Sequence, residues 1–168
     1  WRMTMSENDS QDPSIHYCRE VKISYGRKKK AEKICGSAAG FELAKKIIDP
    51  DADREHFAAI YLDAKNTPIA WRVIAIGTLS GCLVHPREVF RPGLIVGAAA
   101  IVVVPSSECS PSPEDLQVTR RLSSAGDLLG IRVLDHLILG GKSYYSFADR
   151  GHLPQGLTAP ADEPRISA

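Results

Sequence analysis

Apolar and polar positions fall into blocks along this chain that predict a small domain of alternating strands and helices. Ser37 stands before a helical stretch, Ala38 to Ile48, in which Phe41, Leu43, Ala44, Ile47 and Ile48 share a face. Phe57 to Leu62 and Ile69 to Ile76 read as strands joined across the polar turn Ala64-Lys65-Asn66-Thr67. Pro86 suits the first turn of a helix with Val89, Phe90, Ile95 and Val96 as apolar positions, Pro92 falling early enough for an open first turn to tolerate it. The β-branched run Ala98 to Val104 predicts a buried strand. Ser112 to Leu129 is the clearest helix: Ser112 as N-cap, Pro113 at N1, Asp115 at N3, and Leu116, Thr119, Leu122 and Leu129 on one face before Gly130. Ile131 to Leu139 and Ser143 to Phe147 then close as a hairpin across Gly140-Gly141.

The ends read differently. Residues 1–14 are rich in Ser, Asp, Asn and Gln and have little to bury, as in a disordered tail. Residues 15–25 partly alternate, as a short strand does, and the stretch from Gly151 is a Pro-rich tail. The predicted organisation is a flexible, partly basic segment over 1–32, one folded domain over 33–150 and a flexible tail over 151–168.

Composition narrows the partners. The 168 residues, 43% hydrophobic and 24% charged, are ordinary for one soluble domain. A net charge of +1 gives no global pull toward nucleic acid or membrane. The longest apolar run, about Gly93 to Val104, is too short to span a bilayer, and no secretory signal pattern opens the chain. Cys18, Cys35, Cys82 and Cys109 are widely spaced without a C-x-x-C pair, which reads as free thiols in a reducing cytoplasm. The local exception is basic: Arg27, Lys28, Lys29 and Lys30, flanked by Arg19, Lys22 and Lys33 with Tyr17 and Tyr25 nearby. Such a run either tracks a phosphate backbone or is a solvated linker, and DNA is the partner that the first reading implies.

The candidate chemistry lies at Val104-Pro105-Ser106-Ser107-Glu108-Cys109-Ser110-Pro111-Ser112-Pro113-Glu114-Asp115, where an apolar strand feeds a Pro/Ser loop and then a helix. Around it stand Arg54-Glu55-His56-Phe57, Leu62-Asp63-Ala64-Lys65-Asn66, Pro86-Arg87-Glu88-Val89-Phe90-Arg91-Pro92, Thr119-Arg120-Arg121-Leu122, Leu134-Asp135-His136 and Tyr145-Ser146-Phe147. In order and spacing this series resembles the RadC family, a bacterial branch of the JAB/MPN fold long labelled as DNA repair proteins, over roughly residues 33–150. The resemblance implies an α/β, cytidine-deaminase-like layered fold: a mixed, mostly antiparallel sheet with the helices at Pro86 and Pro113 packed against it.

It also implies a zinc hydrolase ancestry. JAMM metalloproteases of this fold carry H-x-H-x7-S-x2-D, in which two histidines and the aspartate hold zinc, a serine steadies the oxyanion and a glutamate is the general base. By this resemblance Glu55 matches the base, Ser112 the serine and Asp115 the third ligand. Counting back from Ser112, the histidine positions are Val102 and Val104. RadC proteins usually read V-H-N-H-P-S-G at the strand end. This chain keeps the spacing from Pro105 onward, with Ser107 for the glycine, so a three-residue deletion before Pro105 accounts for the loss better than substitution.

Each candidate also has a structural reading. Ser112 and Asp115 together make a helix capping box, and Glu55 is a carboxylate just before a strand. Cys109 and Glu108 are the nearest replacement ligands, against inert packing for the thiol and solvation for the loop carboxylate. His85 and His136 match RadC patterns outside the ligand triad and read as structural. The expected function is therefore a RadC-like domain without its metal, with no cofactor, acting as a binding or accessory module for a protein or peptide partner. The alternatives are a peptide or isopeptide hydrolase with rewired ligands (Glu108, Cys109 or His136) and a DNA-associated accessory protein using the basic segment.

Overall fold

The computed structural model describes residues 33–48, 54–77, 84–107 and 109–154. Residues 1–32, with the expected strand over 15–25 and the basic run Arg27–Lys30, lie outside the described residues, as do Cys82, Glu108 and 155–168. Of the expected C-terminal tail, 151–154 are described, with His152 N donating to the Phe147 carbonyl at 2.8 Å. The elements are α1 (Ser37–Ala44), β1 (His56–Leu62), β2 (Pro68–Ile76), α2 (Pro86–Val96), β3 (Ala100–Pro105), α3 (Pro113–Leu129), β4 (Arg132–Gly140) and β5 (Ser143–Ser146). The strands form one five-stranded sheet in the order β2-β1-β3-β4-β5. All neighbours run antiparallel except β3 and β4, which are parallel and joined by α3.

The layers follow from strand alternation. β1 and β3 are buried on both faces, so each sorts its side chains into two cores. Ala58, Ile60, Leu62, Val102, Val104, Leu137 and Leu139 point toward Phe41, Ala44 and Ile48 of the α1 region. Phe57, Ala59, Tyr61, Ile101 and Val103 point the other way, toward Val89 and Phe90 of α2 and Leu122 of α3. The Tyr61 hydroxyl donates to the Val89 carbonyl at 2.8 Å, tying α2 to the sheet, and its burial raises its pKa.

Both helices that precede the parallel strands end alike. Gly97 and Gly130 adopt left-handed φ of 67° each, and the next residues, Ala98 and Ile131, donate back to the Gly93 and Gly126 carbonyls at 2.9 Å. This cap spends Ala98 on the turn, so β3 begins at Ala100 rather than at Ala98. Three further expectations shift. The α1 helix stops at Ala44, and Lys46 to Ile48 continue as tight turns onto the Leu43 and Ala44 carbonyls. Pro92 sits in the middle of α2, not in its first turn. Leu129 is 43% exposed, at the surface beside Phe90, Arg91 and Leu94 of α2, and Gly126 instead makes the close contact with Ile131.

Candidate functional site

The loop after β3 and the first turns of α3 form the candidate site. The capping box at the start of α3 is complete. Asp115 N donates to Ser112 Oγ at 3.1 Å, and Ser112 N donates to Asp115 Oδ2 at 2.9 Å. The Ser112 hydroxyl also donates to Asp115 Oδ2 at 2.7 Å. One carboxylate oxygen thus accepts twice within the cap, where its charge also suits the positive end of the helix.

One turn further on, Thr119 joins α3 to β4. Its hydroxyl donates to the Asp115 carbonyl at 2.6 Å and lies 2.7 Å from His136 Nδ1. A hydroxyl has one proton, and here the backbone carbonyl takes it. Nδ1 must then carry a proton and donate to Thr119, which leaves Nε2 as an unprotonated acceptor. Among the described residues Nε2 has no hydrogen-bond partner. The ring is fully buried, stacked on Phe147 at 4.6 Å with Phe57 edge-on at 6.3 Å. Burial pushes the imidazole down to about 4, while Asp115 pulls it weakly upward. Its neighbour Asp135 accepts from His136 N, Ala148 N and Ser146 Oγ, and burial outweighs these donors to raise its pKa.

The remaining candidates lie around this core. Glu55 is half-buried immediately before β1, and its carbonyl accepts from Gly77 N at 2.9 Å. Strand alternation carried back from Phe57 puts Glu55 on the α3 side of the sheet. His56 falls on the other side with Ala58, its Nδ1 buried and without a hydrogen-bond partner among the described residues. The His56 backbone holds the loop: His56 N donates to Ser106 Oγ and Ser106 N to His56 O, both at 2.8 Å. His85 occupies the N-cap of α2 but makes no side-chain capping bond.

Cys109 is a half-buried free cysteine whose backbone and β-carbon lie against Gly140, so closely that a β-carbon at Gly140 would collide with them. Ser107 N donates to the Leu139 carbonyl at 3.0 Å, holding the loop along the end of β4. Gly140 lies four residues beyond His136, a rise of about 13 Å along a strand. Among the described residues no three His, Cys, Asp or Glu side chains converge as a metal-holding group.

The two histidine positions counted from Ser112 are apolar and sit on the wrong side of the sheet. Val102 and Val104 are buried with Phe41, Leu137 and Leu139 in the α1-side core, whereas His136 and Leu122 mark the opposite, α3 side. Asp115 lies in the first turn of α3, so this donor set does not fit zinc, which takes three protein ligands around one point. The sequence pointed to Ser112, Asp115 and the loop, but it missed Thr119 as a link to His136. The available signal was a threonine four residues after Asp115, in position to bond back to its carbonyl.

Comparison with known proteins agrees with this architecture. The RadC-like JAB domain family model matches residues 36–152. A UPF0758 protein of Syntrophotalea carbinolica is 48% identical over 106 residues, covering 61% of this chain and 47% of that protein. UPF0758 protein YsxA of Bacillus subtilis is 45% identical over 103 residues, covering 60% of this chain and 45% of that protein. The chain therefore spans about half the length of the curated relatives it matches. No helix among the described residues is long and apolar enough to cross a membrane. With the strand–loop–helix frame, the layered sheet and the family model all in register, the chain belongs to the RadC-like JAB domain family.

Proposed function

We propose that this domain works as a binding or accessory module that has lost the zinc chemistry of its fold. The observation that carries the reading is the end of β3, where Val104 runs directly into Pro105, paired with Phe57, with no donor side chain between the buried strand and the loop. Zinc needs three protein donors, and the loop offers one matched carboxylate, already accepting twice within its own helix cap. Glu55 and Ser112 are then the remains of a base and an oxyanion partner, without a metal-bound water to act on. Cys109 belongs to no group of three metal donors among the described residues, which disfavours its recruitment as a replacement ligand. A protein or peptide is the partner class that suits a domain descended from peptide-bond hydrolases.

Metal analysis of the purified protein tests this. The expected result is well under one zinc per chain, and a melting temperature that chelators leave unchanged. Stoichiometric zinc that is lost on Asp115→Ala or Cys109→Ala would replace the reading with a rewired hydrolase. Strongly salt-dependent DNA binding, abolished when Arg27 to Lys30 become alanine, would replace it with the nucleic-acid alternative.

A further inference from the structure

The sheet ends on β2 with an apolar row in which Val73 packs partly on the α1-side core while Trp71 and Ile76 are left exposed. β2 pairs with β1 on one side and, among the described residues, with nothing on the other. Trp71 lies opposite Ile60, Val73 opposite Ala58 and Ile76 opposite His56, so all three face the α1 side. The α1 helix lies toward the far end of that face, with Gly40 against Leu137 and Phe41 against Tyr144. Trp71 is left 56% exposed and Ile76 57% exposed. An unpaired strand edge bearing large apolar side chains is a template for another strand, and folded proteins ordinarily cover it.

We propose that residues 15–25 of this same chain form a strand along the outer edge of β2 and cover this row. The chain enters the described fold at the right place. Ile34 N donates to the Asn66 carbonyl at 3.0 Å, at the tip of the β1–β2 turn and two residues before β2 begins. Whatever precedes Ile34 is thus tethered beside the start of β2. Within 15–25, Ile15, Tyr17, Val21, Ile23 and Tyr25 occupy one set of alternate positions, interrupted by Arg19. His16, Cys18, Glu20, Lys22 and Ser24 occupy the other set. This period-two pattern puts an apolar face beside Trp71, Val73 and Ile76. The segment has 11 residues, enough to run the full length of the 9-residue β2. Residues 26–33 form the link, able to reach about 26 Å when extended, enough to turn back so that the new strand runs antiparallel to β2. A tethered strand also competes at a high effective concentration, which favours it over a second copy.

The full chain in a Trp1→Phe background leaves Trp71 as its single tryptophan, since the chain has two. Trp71 fluorescence should then resist acrylamide quenching, and the quenching constant should rise severalfold in Ile23→Glu but not in Lys22→Glu, whose side chain lies on the other face. In the unmutated chain, the outward-pointing amides of β2 should exchange slowly with deuterium. Rapid exchange of those amides, or a Trp71 equally quenched with and without Ile23→Glu, would overturn the proposal. Shielding that grows with protein concentration and ignores Ile23→Glu would overturn it in favour of a second copy on this edge.

Discussion

The Thr119 hydroxyl and the His136 imidazole, 2.7 Å apart, fix each other's protonation. Thr119 spends its proton on the Asp115 carbonyl, so His136 donates from Nδ1, and burial keeps the ring neutral. The first turns of α3, which carry Ser112 and Asp115, are in this way fastened to β4 at one point.

His136 should therefore titrate far below an ordinary histidine. A free imidazole has a pKa near 6.5, and burial holds this one at about 4. Between those values the unfolded chain binds a proton that the native state does not. The contribution to stability is complete above about pH 6.5 and falls away as the pH drops toward about 4. The ring-proton NMR signal of His136 should stay that of neutral imidazole down to about pH 5. A midpoint near that of free histidine would refute the buried, neutral assignment.

Replacing Thr119 with valine keeps the shape and removes the acceptor, leaving the Nδ1–H buried and unpaired. The expected cost is about 1–3 kcal/mol in denaturant unfolding, largely restored by Thr119→Ser. Equal losses for both variants would mean that packing, not the hydrogen bond, carries the role.

Ser112→Ala and Asp115→Ala should each cost about 0.5–2 kcal/mol, because each removes part of the capping box. Chemical denaturation measures this directly. Unchanged stability in either variant would show that the cap does not anchor α3.

Gly126→Ala would ordinarily strengthen a helix by about 1 kcal/mol. Here the new β-carbon would collide with the Ile131 carbonyl and press on Phe90 at 3.3 Å. Overpacking should dominate and destabilise the protein by about 1–3 kcal/mol. A stabilised variant would show that the α3–β4 turn has room that the structure does not suggest.

The parts that were legible in the sequence are local. Ser112-x-x-Asp115 marked its cap, and the alternation of Phe57 to Leu62 and the β-branched run through Val104 marked buried strands, because each pattern is set by near neighbours. The misplaced details depended on what lies beyond the element. Leu129 has helical periodicity but sits at the surface beside α2, and α1 ends where Lys46 to Ile48 tighten into turns. Alternation placed Val102 and Val104 on a common face, but only the pairing of β3 with β1 and β4 shows that this face is turned away from α3. The Thr119–His136 bond was hidden for the same reason, since it joins residues that meet only after β4 has docked.

This geometry separates two ways of restoring the histidines. Val102→His with Val104→His would bury two imidazoles in the α1-side core, away from Asp115, so the double variant should lose stability and gain no zinc site. Inserting His-Asn-His between Val104 and Pro105 keeps Ala100 to Val104 in place and adds the new histidines at the end of β3, displacing only its last residue, Pro105, in the frame H-x-H-x7-S-x2-D.

The most direct measurement is calorimetric zinc titration of the unmodified chain beside that insertion variant. The unmodified chain should show no saturable zinc binding, and the insertion variant should take up about one zinc, lost again on Asp115→Ala. Saturable binding of zinc by the unmodified chain, or a folded insertion variant that binds none, would contradict a preserved scaffold that lacks only its histidine pair.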